Sequence, residues 1–388
     1  MKILITGGAG FIGSHLADAL LAAGHGVILF DNLHPQVHPG GSPPPYLPAE
    51  AEVIVGDVRD RSLLCQAVQR ADAIYHLAAL TGVGQSMYRV ADYVDVNVRG
   101  TAVLLDILAN EPHRVRRLIL GSSRAVYGEG AYECRACGPV FVAGRDPALL
   151  EAGTWDPPCP RCGARLQPQP TSEDWPTRPD SVYAATKVAQ EHLMHSIGTA
   201  YGIEVVVLRY FNVYGPRQSL SNPYTGILSI FLTQLQDGKT IEVYEDGQES
   251  RDFVHVSDVV QANLLALERP VASGETLNVG SGEAASVLDV ARLLTERMGN
   301  PGAYRVSGRY RMGDIRHCRA DIGKARRLLG YQPRVSLKEG MADFVAWALE
   351  QRAHNRTDLA ERELVDRRLL REVSPCREPQ AETESPAP

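Results

Sequence analysis

KILITGGAGFIGSHLADALLAAG, residues 2–24, reads in succession as a short apolar strand, a glycine-rich turn and a helix that ends at Gly24. Within it Gly8, Gly10 and Gly13 spell G-x-G-x-x-G, and counting from Gly7 the same stretch spells G-x-x-G-x-x-G. Glycines so placed let backbone amides approach a pyrophosphate, which then lies on the positive end of the helix. A lone match is weak, but one set between a strand and a helix is much stronger. The next strand, GVILFDN (26–32), ends in Asp31, at a suitable distance beyond Gly13 for its carboxylate to hold the hydroxyls of an adenine ribose. An acidic residue there favours NAD over NADP, the alternative being a plain turn residue. Gly7, Gly10, Phe11, Ile12, Gly13, Asp31 and Asn32 are therefore the expected start of a dinucleotide site.

Outward from this unit, residues 34–48 are rich in proline and glycine and form a surface loop long enough to reach a cofactor or substrate. EVIVGD (52–57) is a third strand, after which Asp57 and Val58 are placed to hold an adenine edge. AIYHLAAL (73–80) is a fourth, whose end at Leu77, Ala78 and Ala79 is small enough for backbone to run beside a nicotinamide. Residues 90–108 read as a helix carrying Asn97, a further cofactor candidate, and RRLILGSSRAVYG (116–128) is a fifth strand with a polar end. Strands alternating with helices argue for an α/β fold with a doubly wound parallel sheet, in which ligands lie outside the carboxyl ends of the strands. Ser122, Ser123 and Tyr183 are expected to converge there.

In SVYAATK (181–187) Tyr183 and Lys187 stand four residues apart in a helical segment and so share a face. A phenol of ordinary pKa about 10 becomes a base near neutrality only where cationic charge stabilises the phenolate, and a lysine one turn away supplies it. The pair is suited to taking a proton from an alcohol. The bland alternative is an exposed amphipathic helix.

With 388 residues the chain can bury a substantial core in one large or two intimate domains. A net charge of −6 with scattered basic residues gives no footprint for nucleic acid or for an acidic membrane surface. No apolar run approaches the roughly 20 residues that cross a bilayer, and Met1 leads directly into a strand, so a cytoplasmic protein is expected. Four of the seven cysteines fall in CRACG (134–138) and CPRCG (159–163). Two C-x2-C pairs suit one tetrahedral zinc held by Cys134, Cys137, Cys159 and Cys162 better than a disulfide framework or a redox dithiol. Four thiolates leave no open position, so the metal would be structural.

TGGAGFIG, Asp31, SSRAVYG and YAATK together resemble the extended short-chain dehydrogenase/reductase family of nucleotide-sugar epimerases and dehydratases. RYFNVYGP (209–216), RDFVHVSDV (251–259) and RMGDIR (311–316) extend the resemblance over residues 1–340, apart from the cysteine-bearing insertion. It implies a Rossmann domain over 1–212 that carries the insertion at 129–178, and a smaller α/β substrate domain over 213–350. The strand and helix near 250–270 would return to the first domain. From composition, charged and then rich in Pro and Glu beyond about Arg352, residues 351–388 read as a tail with room for one solvated helix and a disordered end. The resemblance also implies that Ser123 and Tyr183 handle a sugar hydroxyl while Lys187 holds the nicotinamide ribose. Asn212, Arg251, Arg311 and Asp314 would bind the nucleotide diphosphate or its ribose, with Ser122 and Arg124 lining the substrate side. The zinc-ribbon-like insertion would sit over the sugar pocket as a lid or a contact in a homodimer.

Dehydratases of this family carry Asp-Glu where this chain has Arg124 and Ala125, and an arginine and a methyl group cannot serve as acid and base for elimination. The same Ala125 disfavours decarboxylases, and Asp31 disfavours a 4-ketoreductase drawing on NADPH. A nucleotide-sugar 4-epimerase remains, oxidising C4 and reducing the ketone from its other face. QVHPG (36–40), GVGQSMY (82–88) and the paired cysteines are most similar to the branch that interconverts dTDP-L-rhamnose and dTDP-6-deoxy-L-talose. A UDP-hexose or UDP-hexuronate 4-epimerase is the rival, which SNPYTG (221–226) also resembles. The non-enzyme alternative is an NAD-binding regulator with a zinc interaction module. Retention of Ser123, Tyr183 and Lys187 together argues against it.

Overall fold

The computed structural model describes residues 1–222, 224, 226–351 and 357–373; the expected tail beyond 373 lies outside the described residues. Seven strands form the central sheet: β1 (Lys2–Thr6), β2 (Gly26–Asp31), β3 (Glu52–Val55), β4 (Ala73–His76), β5 (Arg117–Ser123), β6 (Glu204–Tyr210) and β7 (Thr276–Val279). Their order is β7-β6-β5-β4-β1-β2-β3 and every neighbouring pair is parallel. Continuous apolar runs such as Ile3–Ile5 and Val27–Phe30, buried throughout, suit strands covered on both faces. The covers are α1 (Phe11–Ala22), α2 (Gly100–Asn110), α3 (Val182–Tyr201) and α4 (Val256–Glu268). Leu16 of α1 and Val259 of α4 share one core with Ile5, Leu29 and Leu208, while Leu104 of α2 and Met194 of α3 share another with Leu4, Ile28 and Val207. Strand order reverses between β1 and β4, which opens a crevice at their carboxyl ends.

A smaller lobe has its own core, in which Phe231, Leu232, Val290, Leu294 and Phe344 meet on three helices, Ile227–Gln236, Val287–Arg297 and Leu337–Leu349. Two of these start in capping boxes, Ser286 with Asp289 and Ser336 with Glu339, so their first turns have backbone donors satisfied locally.

The cysteine-bearing insertion does not stand over the crevice. Its hairpin, Ala131–Cys134 against Gly138–Val140, pairs with Gln167–Thr171, and that strand runs parallel to His317–Ala320. The insertion is thereby built into the edge of a second, six-stranded sheet. Buried Arg145 clamps it there, with Nη1 on Glu245 at 2.6 Å and Nη2 on the carbonyl of Asp314 at 2.8 Å. Arg316 adds bonds to Asp156 and Asp246, both at 2.7 Å. A lid over the sugar pocket is therefore corrected to a buttress behind residues 311–317, a placement set by pairing between distant strands.

The segment after residue 351 also departs from expectation. Thr357–Asp366 forms a helix, α5, and Leu370–Arg371 pairs antiparallel with Tyr310–Arg311. Thr357, Ala360 and Leu364 are buried at helical spacing. The many charges of this stretch lie around a narrow apolar face, which is why composition alone read as a tail.

Candidate active site

One cavity of about 690 Å³ follows the carboxyl ends of the strands and continues between the lobes. At one end lie Gly7, Gly10, Phe11, Ile12, Gly13, Asp31, Asn32, Asp57 and Val58; in the middle Leu77, Ala78, Ala79, Ser123, Arg124, Tyr183 and Lys187; at the far end Asn212, Arg251, Arg311 and Asp314. The long loop after β2 contributes His34, Gln36 and His38.

The glycines have separate physical reasons. Gly7 has φ +70°, and a Cβ on it would stand 2.7 Å from the amide nitrogen of Ala78. A Cβ on Gly13 would stand 2.5 Å from the Gly7 carbonyl, so this position packs α1 against the turn. At Gly10 a Cβ would meet only that carbonyl, at 3.2 Å, and otherwise enter the cavity. This is the close approach that a pyrophosphate needs. Asp31 is fixed beside it by accepting from the amides of Ala9 at 3.0 Å and Leu33 at 2.9 Å. Asp57 is engaged by Asn32 at 2.9 Å and by three donors of Arg59, two from the guanidinium and one from the backbone, and the guanidinium bonds above all hold its carboxyl well below the usual range.

Ser181 caps α3 through the amide of Ala184 at 3.2 Å and so starts the helix that presents Tyr183 and, one turn on, Lys187. Burial raises the Tyr183 phenol, while a hydrogen bond with the Ser123 side chain and the charge of Arg124 act against that rise. Lys187 donates to the carbonyl of Gly121 at 2.8 Å, and burial lowers its pKa to about 8 against the pull of Glu191. Arg124, a cation outside the Tyr-x-x-x-Lys motif, thus favours the phenolate.

Two candidate residues are corrected. Ser122 lines the cavity, but its hydroxyl proton is given to Glu191 at 2.5 Å. Glu191 in turn holds Arg209 of β6 at 2.7 Å, a buried pair that ties α3 to the sheet. Asn97 is fully buried and does not line the cavity. It sits in a π-helical turn, Val94–Arg99, and its amide is spent on both backbone groups of Leu80 and on Thr186. It positions the loop after β4 against α3.

At the far end Asp314 lies 4.0 Å from both Arg251 and Arg311. Burial would raise its carboxyl, but Arg311, Arg251, Arg145 and Arg124 together hold it below the usual range. Glu242, Glu249 and Glu361 also line this region, so charges of both signs face the cavity here. Asn212 Oδ1, Gln218 Oε1 and Gln234 Oε1, also in the lining, are buried without a hydrogen-bond partner among the described residues. No motif or spacing marks the two glutamines. Away from the cavity, the Sγ atoms of Cys134, Cys137, Cys159 and Cys162 all lie within 4.8 Å of one another. No helix among the described residues is long and apolar enough to cross a membrane.

Fold and site together define an enzyme of the short-chain dehydrogenase/reductase type. The chain belongs to the NAD dependent epimerase/dehydratase family, whose model matches residues 3–140 and 158–280. It is 40% identical over 353 residues to a dTDP-L-rhamnose 4-epimerase of Burkholderia thailandensis, covering 90% of this chain and 95% of that one. A dTDP-glucose 4,6-dehydratase of an Actinoplanes species is 32% identical over 358 residues, covering 89% and 97%. The solved UDP-glucuronic acid 4-epimerase of Bacillus cereus, in complex with UDP-glucuronic acid and NAD, superposes with a TM-score of 0.73 at 30% identity, covering 90% and 99%. Like the relatives named as sugar epimerases, the chain is an isomerase.

The glycine geometry separates two effects. Gly10→Ala should leave the unfolding temperature of nucleotide-free protein nearly unchanged while lowering retained NAD about tenfold or more. Gly13→Ala should lower both, since its Cβ collides with backbone and costs at least ~1–3 kcal/mol. Thermal unfolding, together with absorbance of acid-released nucleotide, checks the contrast.

Proposed function

We propose that the chain is an NAD-dependent nucleotide-sugar 4-epimerase acting on dTDP-L-rhamnose and dTDP-6-deoxy-L-talose. The observation that carries the 4-epimerase reading is the pairing of Tyr183 and Ser123 with Arg124 and Ala125, in the same cavity as the glycine turn. The dTDP-L-rhamnose assignment is supported by the 40% identity to the Burkholderia enzyme. Residues 1–212 would carry the dinucleotide and 213–350 most of the nucleotide sugar.

The cavity end with Gly7, Gly10, Gly13 and Asp31 fits NAD, because it combines open space over glycine with a fixed carboxylate. When bound, NAD supplies a hydride acceptor for C4 of the sugar and returns the hydride once the ketone has turned over. Tyr183 takes the proton of the 4-hydroxyl during oxidation and gives it back during reduction, with Ser123 hydrogen-bonded to the same oxygen. Arg124 lowers the cost of the phenolate, and Lys187, held on Gly121, is positioned for the nicotinamide ribose. Arg251 and Arg311 neutralise the diphosphate, with Asn212 supplying an acceptor nearby. At Ala125 there is no acid or base to remove a hydroxyl from the sugar, so the ketone is not diverted into elimination.

Tyr183→Phe should lower turnover by about 10²–10⁴ while NAD stays bound, because the phenol oxygen acts only in the chemistry. In a panel of dTDP-L-rhamnose, UDP-glucose, UDP-glucuronic acid and dTDP-glucose, chromatography should show the first converted to its C4 epimer. Preferred turnover of a UDP-sugar, or dehydration of dTDP-glucose, would overturn the substrate assignment.

We further propose one structural zinc held by the four cysteines. A tetrahedral ion with Zn–S near 2.3 Å sets its sulfurs about 3.8 Å apart, and the Sγ atoms of Cys134 and Cys162 lie 3.6 Å apart. Metal analysis should find one zinc per chain, absent from Cys134→Ser/Cys159→Ser. Because the insertion buttresses residue 314, that variant should also unfold at a lower temperature.

A further inference from the structure

Helix α5 comes from a stretch that no motif marks, yet it forms part of the cavity wall. Thr357, Ala360, Glu361 and Leu364, which follow one face at i, i+3, i+4 and i+7, all line it. The Leu364 side chain stands where a Cβ on Gly84 would meet it at 3.4 Å, so the helix reaches the loop after β4. After α5 the chain pairs with Tyr310–Arg311, and the amide of Met312 donates to the carbonyl of Leu369 at 2.9 Å. The strand carrying Arg311 is thereby covered by the C-terminal segment.

Glu363 joins the pieces. Its carboxylate accepts from the phenols of both Tyr88 and Tyr224, which also lie 2.6 Å from each other. Tyr88 belongs to the segment after β4 and Tyr224, which lines the cavity, to the loop before Ile227–Gln236, so one carboxylate ties the segment after β4 to the entry of the smaller lobe. The Arg367 guanidinium lies 4.2 Å from the centre of the Tyr88 ring and donates to the Glu363 carbonyl at 2.8 Å. Nearer the cavity, Glu361 accepts from Tyr244 and Arg309, both at 3.4 Å. Among the described residues, no hydrogen bond or ion pair joins Ala360, Glu361 or Leu364 to Gly7, Gly10, Asp31 or Asp57.

We propose that residues 357–371 are a clasp over the nucleotide-sugar half of the cavity, with Glu363 as the positioning residue that latches it. This rests on the reading that this half holds a nucleotide sugar. The latch closes the wall around the substrate and must open for its exchange. The dinucleotide half lies outside its reach. Glu363 touches no reacting atom; it acts through Tyr88 and Tyr224 on the walls to which they belong.

The test uses the full chain with NAD bound, and dTDP and UDP as probes that need no chemistry. In wild type, bound dTDP should slow trypsin cleavage at Arg362, Arg367 and Arg368. Glu363→Ala should raise the dissociation rate and Kd of dTDP about tenfold, what one hydrogen bond to a charged group amounts to, and should abolish the protection. Retained NAD should be unchanged, and in turnover KM should rise with kcat unchanged or higher. Tyr88→Phe/Tyr224→Phe, which keeps both rings and removes the donors, should reproduce the effect. Unchanged dTDP kinetics in both variants would overturn the clasp while leaving the nucleotide-sugar reading intact. NAD lost in step with dTDP would also overturn it, since the effect would then not be confined to this half. Wild type that binds neither dTDP nor UDP would overturn the nucleotide-sugar reading and the clasp with it.

Discussion

The approach of two backbones at the sheet's switch point sets the terms for everything else. The turn after β1 comes so near the end of β4 that any side chain on Gly7 would strike Ala78, and α1 packs so tightly on that turn that Gly13 cannot carry a methyl group without meeting the Gly7 carbonyl. This crowding holds the start of α1 at the mouth of the crevice, where its unpaired amides are offered to an anion. The cavity then has one polar rim fixed by backbone, and the remaining specificity is distributed over side chains brought in from β2, β5, α3 and the smaller lobe.

Electrostatics divides the cavity into regions of different character. Asp31 gives the dinucleotide end an acidic edge, while at the other end Arg124, Arg251 and Arg311 are interleaved with Asp314, Glu242, Glu249 and Glu361. Tyr183 lies between them, where burial opposes the phenolate and Arg124 favours it. Arg124 occupies the first of the two positions that hold an acid-base pair in the family's dehydratases. Its charge favours the Tyr183 phenolate, while the neighbouring Ala125 offers no acid or base. Behind this region, Arg145 fastens the cysteine-bearing insertion to the Asp314 carbonyl, so a module outside the cavity supports its wall at residue 314.

The parts legible in the sequence are those whose meaning is local. Glycine spacing, an acidic residue closing the second strand and a tyrosine one turn before a lysine each carry their geometry with them. Ser122 and Ser123 adjoin in sequence, but side chains alternate along a strand end, and the one that faces inward is spent on Glu191. Asn97 was recognised as special, yet its partners Leu80 and Thr186 are set by how α3 packs, which spacing along the chain does not encode. The insertion was recognised by its cysteines but misplaced, because Gln167–Thr171 finds its partner about 150 residues away at His317–Ala320. In helix α5 the charges dominate the composition and the apolar face is narrow, so the sequence allows a solvated helix there but does not signal one packed against the cavity.

The central claim is that one nicotinamide, bound in the same cavity as Tyr183, removes and returns the hydrogen at C4 without elimination. The most direct measurement is mass spectrometry of the product from dTDP-L-rhamnose carrying deuterium at C4, with a parallel reaction of unlabelled substrate in heavy water. The account predicts the C4 epimer with its label retained, and no deuterium on any ring carbon from the solvent. Loss of the C4 label to water, deuterium entering at C3 or C5, or a dehydrated 4-keto product would contradict it.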